Sequence, residues 1–225
     1  MAVSNDFERY FQRYTKEGLK ELGLELPPET LEKLFRFFSL LKELGKPLGL
    51  TALEDPLDFA VKHLLDSLTI LPFLPEGALL DLGTGAGLPG MVIKIVQPER
   101  EVWLVDARKK PISFLTYATG VLSLPPPQII QASVGEKNAP LPLNYFEVIV
   151  SRAVSDLGTL WKLARPHLRP QGLLLAMKGP KAREEIAKLL EQYPSLEIKK
   201  HSLRLPLTGN ERHIVLVKES PSSNS

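Results

Sequence analysis

From Gly77 onward the chain alternates short apolar runs with helix-periodic segments, and the first run leads into the turn Asp81-Leu82-Gly83-Thr84-Gly85-Ala86-Gly87. Such alternation predicts a mostly parallel sheet with helices on both faces. Ala78-Leu79-Leu80-Asp81-Leu82 is almost wholly apolar, as a strand covered on both sides must be. After the turn, Met91, Ile93, Ile95 and Val96 mark a helix, and Glu101-Val102-Trp103-Leu104-Val105-Asp106 reads as the second strand. A helix through Ile112, Phe114, Leu115 and Tyr117 follows. Gln128-Ile129-Ile130-Gln131 and Phe146-Glu147-Val148-Ile149-Val150 supply strands three and four. Leu157 to Leu168 reads as helix, Gly172 to Met177 as strand five, and Arg183 to Gln192 as helix.

The pattern changes at both ends. Two strands close the sequence, about Leu196 to Leu205 and His213 to Lys218, with only Pro206-Leu207-Thr208-Gly209-Asn210 between them. So short a connection requires antiparallel pairing. Before Gly77 the apolar positions keep helical spacing: Phe7, Tyr10, Phe11 and Tyr14, then Leu31, Leu34, Phe35, Phe38, Leu41 and Leu44 behind Pro27-Pro28-Glu29. A third helix is expected from about Pro56 to Leu71, with Phe59, Leu64, Leu65 and Leu68 inward. The chain thus divides into an N-terminal helical extension (1–72), an α/β core (73–218) and a polar tail (219–225) expected to be disordered. A seven-stranded, mostly parallel sheet with an antiparallel terminal hairpin is similar to the class I methyltransferase variant of the Rossmann-like fold.

Composition removes several chemistries. With no cysteine, disulfides, thiol catalysis and thiolate metal sites are excluded. Four histidines without a His-x-x-x-His pair give no support to a metal site, and none is expected. A net charge of +2 is too mild to imply nucleic acid by itself; a local basic patch is required. The start lacks a basic region followed by an apolar run, and no stretch is long and apolar enough to span a bilayer. A cytoplasmic monomer without a membrane partner is the expectation.

Open parallel sheets bind ligands beyond the carboxyl ends of their strands, where the glycine turn must lie. Gly83, Gly85 and Gly87 let a ligand approach the backbone. Alone, that turn reads equally well as a tight connection that binds nothing. Asp106 ends the second strand, nineteen residues beyond Gly87, where a carboxylate accepts from ribose hydroxyls. Asp81 stands two residues before the first glycine, placed to orient the loop or to accept from a ligand ammonium. The spacing is G-x-G-x-G, not the dinucleotide G-x-G-x-x-G, and an acid there repels a pyrophosphate. The pattern therefore favours S-adenosylmethionine over NAD. No P-loop occurs.

Asp81-Leu82-Gly83-Thr84-Gly85-Ala86-Gly87-Leu88-Pro89-Gly90 resembles the signature of the bacterial RsmG (GidB) family. Lys62-His63-Leu64-Leu65-Asp66-Ser67-Leu68, Val105-Asp106-Ala107-Arg108-Lys109-Lys110, Ser151-Arg152-Ala153-Val154, Ala176-Met177-Lys178-Gly179 and Glu211-Arg212-His213 agree in order and spacing. The resemblance covers roughly residues 31 to 218. It implies methylation of guanine N7 in 16S ribosomal RNA, with the rRNA or the small ribosomal subunit as partner. By position it also implies cofactor contacts at Gly83, Leu88, Asp106, the Val134-Gly135 backbone and Arg152. At one place the chain departs: Gly49-Leu50-Thr51 stands where the family usually has Asn-Leu-Thr.

Guanine N7 carries an in-plane lone pair and no proton, so it can attack the sulfonium methyl directly. No covalent nucleophile or general base is needed; positioning in line supplies several kcal/mol. The Hoogsteen edge offers O6 and N7 acceptors, and N7 must stay free. Donors are therefore expected at O6 and the phosphates, with Arg152 the first candidate at the reaction centre and His63 and Lys178 next. A cation against N7 opposes the product's charge, so these groups belong to its side. The plain alternatives pair Arg152 with Asp156 and make His63 a packed histidine and Lys178 a strand exit. Arg108-Lys109-Lys110 at a helix start is unfavourable for the dipole, which points to phosphate binding. Arg108, Lys109, Lys110, Arg152, Lys178, Lys181, Arg183 and Arg212 compose the expected RNA face. Trp103 and Trp161 are expected in the core rather than as stacking platforms. Three other functions compete: the same fold acting on a protein or small-molecule acceptor; a non-catalytic RNA-binding module, against which the intact Asp81, glycine loop and Asp106 argue; and an NAD-dependent oxidoreductase, disfavoured by the glycine spacing and the terminal hairpin. The Asn-Pro-Pro-aromatic motif of amino-group methyltransferases is absent after strand four.

Overall fold

Strands β1 (Leu79–Leu82), β2 (Val102–Asp106), β3 (Gln128–Gln131), β4 (Phe146–Arg152), β5 (Leu168–Lys178), β6 (Leu196–Arg204) and β7 (Glu211–Glu219) form one sheet. Their order is β3-β2-β1-β4-β5-β7-β6. The first five pair in parallel, and β7 runs antiparallel between β5 and β6. The computed structural model describes residues 2–136, 139–152 and 155–220. β1 lies between β2 and β4, so successive connections leave it toward opposite edges. That switch point opens a crevice at the carboxyl end of β1, where the glycine turn begins.

The helices are α1 (Ala2–Glu21), α2 (Pro28–Leu48), α3 (Pro56–Phe59), α4 (Asp66–Leu68), α5 (Gly90–Val96), α6 (Lys109–Leu122), α7 (Leu157–Ala164) and α8 (Ala182–Gln192). α2 starts with Pro28, whose missing N–H costs nothing there, and ends on Gly49 at φ +68°. Its Leu34, Phe37, Phe38 and Leu41 are fully buried. Each contributes about 1.5–3 kcal/mol by leaving water. These side chains and Phe11 of α1 join Met91, Leu104, Phe114 and Val148 in one core. The N-terminal helices therefore share the hydrophobic layer on one face of the sheet. The other face is covered by α7 and α8, with Trp161 fully buried.

Local details depart from the sequence pattern. The expected helix from Pro56 to Leu71 is α3, a π turn at Ala60–Leu65 and α4, followed by a separate 3-10 turn at Leu71–Phe73. Asp55 caps its start by accepting from the N–H groups of Leu57 and Asp58. A π turn bonds i to i+5, which rotates the downstream residues relative to a plain α-helix; apolar spacing alone does not reveal it. β4 runs past Val150 to Arg152, and β5 begins already at Leu168 across a bulge between Phe146 and Val148. At the tail, Glu219 belongs to β7 and pairs with Leu196, because ladder bonds hold even a polar residue. The rest of the expected disordered tail, residues 221–225, lies outside the described residues, as do Ala153 and Val154 of the Ser151-to-Val154 segment.

Candidate cofactor and acceptor site

The glycine turn is organised from beneath by Asp81. Its Oδ2 accepts from Thr84 Oγ1 at 2.7 Å and from the Gly90 N–H at 2.8 Å, tying both ends of the turn to β1. Asp81 is fully buried, and burial pushes its carboxyl up to about 6 against the pull of Thr84, Gly90 and Arg152. Its Oδ1 has no partner among the described residues. The glycines divide by task. Gly83, Gly85 and Gly87 all have positive φ. A Cβ at Gly87 would stand 2.6 Å from Leu115 Cδ2 and 2.8 Å from Met91 Cβ, whereas at Gly85 the nearest atom is 3.7 Å away. Gly87 is thus a packing position, and Gly85 keeps open space above it.

Asp106, at the end of β2, meets the turn. Its Oδ2 accepts from the Gly85 N–H at 3.0 Å, and Arg108 donates to both oxygens from Nε and Nη2 at 3.0 and 3.1 Å. Burial alone raises this carboxyl, but the bonds from Arg108 and Gly85 outweigh it and hold it below its ordinary value. Asp106 is therefore an ionised acceptor beside exposed glycine backbone.

A cavity of about 620 Å³ opens over these groups. Its lining includes Gly83, Thr84, Gly85, Ala86, Leu88, Asp106, Arg108, Val134, Arg152 and His63. Asp81, Gly87, Gly135 and Lys178 are not on the lining. Gly135, at φ +103°, shapes the turn that presents Val134. The donor set suits S-adenosylmethionine. Asp106 can accept from a ribose diol, and the apolar walls of Ala132, Val134 and Leu163 suit an adenine.

The far wall comes from distant segments. Arg152 donates from Nη1 to the Lys62 carbonyl at 2.7 Å and reaches Asp66 Oδ2 at 3.3 Å. The alternative pairing with Asp156 does not form. Asp156 instead caps α7 by accepting from the Thr159 N–H, while Arg152, at the end of β4, faces the π turn. Arg212 of β7 forks onto the same Asp66 from Nε and Nη2, both at 2.8 Å. His63 bonds Thr51 Oγ1 through Nε2 at 2.8 Å. Burial, aided by the Arg152 charge, lowers its pKa to about 4, so it is neutral at physiological pH. Lys178 is buried and committed to Glu185 at 2.8 Å and to the Ser155 carbonyl. That placement removes it from the expected RNA face and from the cavity wall. Arg212 is likewise half-buried and engaged, whereas Lys109, Lys110, Lys181 and Arg183 are exposed at the starts of α6 and α8. Trp161 lies in the core as expected; Trp103 is partly buried against Tyr145 and Phe146.

A family model described as GidB, rRNA small subunit methyltransferase G, matches residues 30–215. The chain belongs to this family. Two curated relatives named Ribosomal RNA small subunit methyltransferase G make the point independently. The protein of Methylobacillus flagellatus is 38% identical over 203 residues, spanning 87% of this chain and 98% of its own length. The Acinetobacter baumannii protein (strain ATCC 17978) is 39% identical over 209 residues, spanning 93% of this chain and 98% of its own. Among solved structures, a SAM dependent methyltransferase from Aquifex aeolicus shares the fold with a TM-score of 0.56 at 19% identity, covering 76% of this chain and 97% of that one. The tRNA (m1A58) methyltransferase TrmI of the same organism does so with a TM-score of 0.52 at 18% identity, covering 76% and 72%. The fold is the class I methyltransferase fold.

Four residues of the candidate site were not singled out by the sequence reading: Leu50, Thr51, Asp66 and Leu163. Leu50 and Leu163 line the cavity, Thr51 holds His63, and Asp66 holds two arginines. The signal for Asp66 was its place in a buried apolar helix, where an unpaired charge is not tolerated. The Gly49 departure also finds its reason. Gly49 occupies the left-handed cap of α2 with open space around it, a conformation that glycine and asparagine both adopt. Its backbone role needs no asparagine side chain.

Proposed function

We propose that this chain transfers the methyl group of S-adenosylmethionine to N7 of a guanine in 16S ribosomal RNA by direct in-line displacement. The observation that carries the reading is family membership over residues 30–215, joined to a cavity in which an ionised carboxylate, glycine backbone and apolar walls converge at the switch point. Bound there, the cofactor supplies an electrophilic methyl on a cationic sulfur. The turn at Gly83, Gly85 and Leu88 lies against it, with Gly87 and Asp81 fixing the turn from below. Asp106, kept ionised by Arg108 and the Gly85 N–H, would accept from the ribose hydroxyls. Val134, set by Gly135, packs against the base.

Arg152 is the donor for the acceptor edge, addressing O6 while N7 stays open. His63, neutral and anchored by Thr51, forms the adjacent wall without adding a charge that opposes a cationic product. Lys178 supports the loop after β4 through Ser155 rather than meeting substrate. The helical extension (1–72) contributes Leu50 and His63 and works as part of one unit with the core (73–218). Among the described residues no helix is long and apolar enough to cross a membrane. The expectation of a cytoplasmic monomer stands as part of this reading.

Labelled S-adenosylmethionine and small subunits lacking the modification test the reaction. Methylation mapped to a 16S guanine by reverse-transcription cleavage is expected; label on another acceptor and none on RNA rejects it. Charge reversal at Lys109 and Lys110 tests the RNA face. Binding to 16S rRNA should weaken and its salt dependence flatten. Unchanged binding at low and high salt removes both residues from that face.

A further inference from the structure

Asp66 is fully buried, 0% exposed, yet it is the meeting point of two arginines from two different strands. Arg212 of β7 grips both of its oxygens at 2.8 Å. Arg152 of β4 reaches Oδ2 at 3.3 Å with the same Nη1 that donates to the Lys62 carbonyl at 2.7 Å. The arginine side chains remain 18% and 22% exposed, and Arg152 lines the cavity beside His63. The contacts therefore use one end of the Arg152 guanidinium. Among the described residues its Nε and Nη2 have no protein partner, which leaves an edge of the fork available to a ligand.

We infer that Asp66 is a positioning residue for methyl transfer: with the Lys62 carbonyl it locks Arg152 so that one guanidinium edge meets the acceptor. This rests on the function proposed above. The electrostatic demand is specific. Positive charge sits on the sulfonium before transfer and on the methylated guanine afterwards, so an arginine that addresses O6 must be held to the side of N7. Asp66 and the Lys62 carbonyl, both off the cavity lining, fix it without touching the substrate. The three-part helix explains how Asp66 comes to be there. The π turn Ala60–Leu65 immediately precedes it and supplies His63 to the cavity and the Lys62 carbonyl to Arg152. Arg212 then completes the anchoring, since one buried carboxylate holding two partly exposed arginines is better satisfied than one holding a single arginine at 3.3 Å. A purely structural link between β4, β7 and the helix is the competing account, and it makes a different kinetic prediction.

The experiment is a double-variant cycle on the full chain. Single-turnover methylation of unmodified small subunits is measured for the unaltered chain, Asp66→Asn, Arg152→Ala and the pair, with thermal melting for fold and calorimetry for S-adenosylmethionine affinity. Asp66→Asn should lower the transfer rate on the order of 10- to 100-fold, as displacement of an aligned group does. Its cofactor affinity should change by less than about threefold, because no Asp66 atom lines the cavity. In the Arg152→Ala background the same substitution should change the rate by less than about twofold. A wild-type rate in folded Asp66→Asn, or losses that simply multiply in the pair, overturns the assignment. If Asp66→Asn does not fold, Asp66→Glu keeps the charge while shifting the fork, and the same rate loss and the same absence of multiplication are expected. If neither variant folds, Asp66 is a folding element and the inference falls. The unaltered chain separates the two levels: no transfer to RNA from it defeats the proposed function, whereas transfer without coupling defeats only the role of Asp66.

Discussion

The two walls of the proposed site, one assigned to the cofactor and one to the acceptor, are built on opposite plans. The cofactor wall is local: Asp81, the glycine turn and Gly90 fall within ten residues, and Asp106 joins them across one strand pairing. The Gly85, Gly90 and Arg108 backbone N–H groups all bond to its two carboxylates, and its side-chain donors Thr84 and Arg108 lie within three residues of the carboxylate they meet. The acceptor wall is global. Arg152 and Asp66 are 86 residues apart, and Arg212 and Asp66 are 146 apart. Here charged side chains bridge β4, β7 and a helix from the N-terminal layer. Both strands and the π turn must be in place before Arg152 has its orientation. The cofactor wall therefore survives most distant changes, while the acceptor wall is exposed to any change that shifts the helical layer against the sheet.

The contrast is broken most directly by Arg152→Ala. Methyl transfer should fall on the order of 100-fold or more, with a much smaller change in cofactor affinity, because alignment is lost while the glycine turn stays intact. Equal losses in rate and cofactor affinity, by single-turnover kinetics and calorimetry, place Arg152 on the cofactor wall instead. Asp106→Ala is the mirror experiment. Removing an ionised acceptor should weaken S-adenosylmethionine binding about 10- to 100-fold. An affinity that does not move shows the ribose lies elsewhere.

A smaller effect separates the glycines. Gly87→Ala forces a Cβ into Leu115 and Met91 and should cost about 1–3 kcal/mol of stability. Gly85→Ala pays only for its left-handed backbone at φ +54°, about 1 kcal/mol. Equal melting temperatures for the two contradict the division into packing and open glycines.

The smallest net effect is in the pH dependence of stability. His63 titrates near 4 in the fold against an ordinary 6.5, so the unfolded chain binds its proton first and stability rises with pH between those values. Asp81 titrates near 6 against 3.8, so the folded chain holds its proton longer and stability falls between 3.8 and 6. Each limb is about 3 kcal/mol at most, and they oppose one another over nearly the same window. His63→Gln should leave a net fall with rising pH, and Asp81→Asn a net rise. Denaturant midpoints measured from pH 4 to 7 check both, and slopes of the same sign for the two variants sink the account.

Legibility in the sequence followed the same division. Turn chemistry and strand period exposed the glycine motif, Asp106 and the terminal hairpin, because spacing along the chain dictates those geometries. The basic face was less legible. Arg212 and Lys178 look like any other cations in sequence, but one is forked onto Asp66 and the other is buried against Glu185. Charge type is visible in a sequence; the partner that neutralises it is not. The π turn was hidden for a related reason, since its apolar residues keep nearly helical spacing while the hydrogen-bond step changes.

By itself, then, the sequence determined the alternation of strands and helices, the glycine turn after the first strand and the acid that ends the second, all set by interactions between near neighbours. Only the tertiary structure decided what holds the cations on the cavity lining. Arg108 is bonded to its near neighbour Asp106, whereas Arg152 is held by Asp66, which is fully buried and must be satisfied by charges that arrive from strands far along the chain.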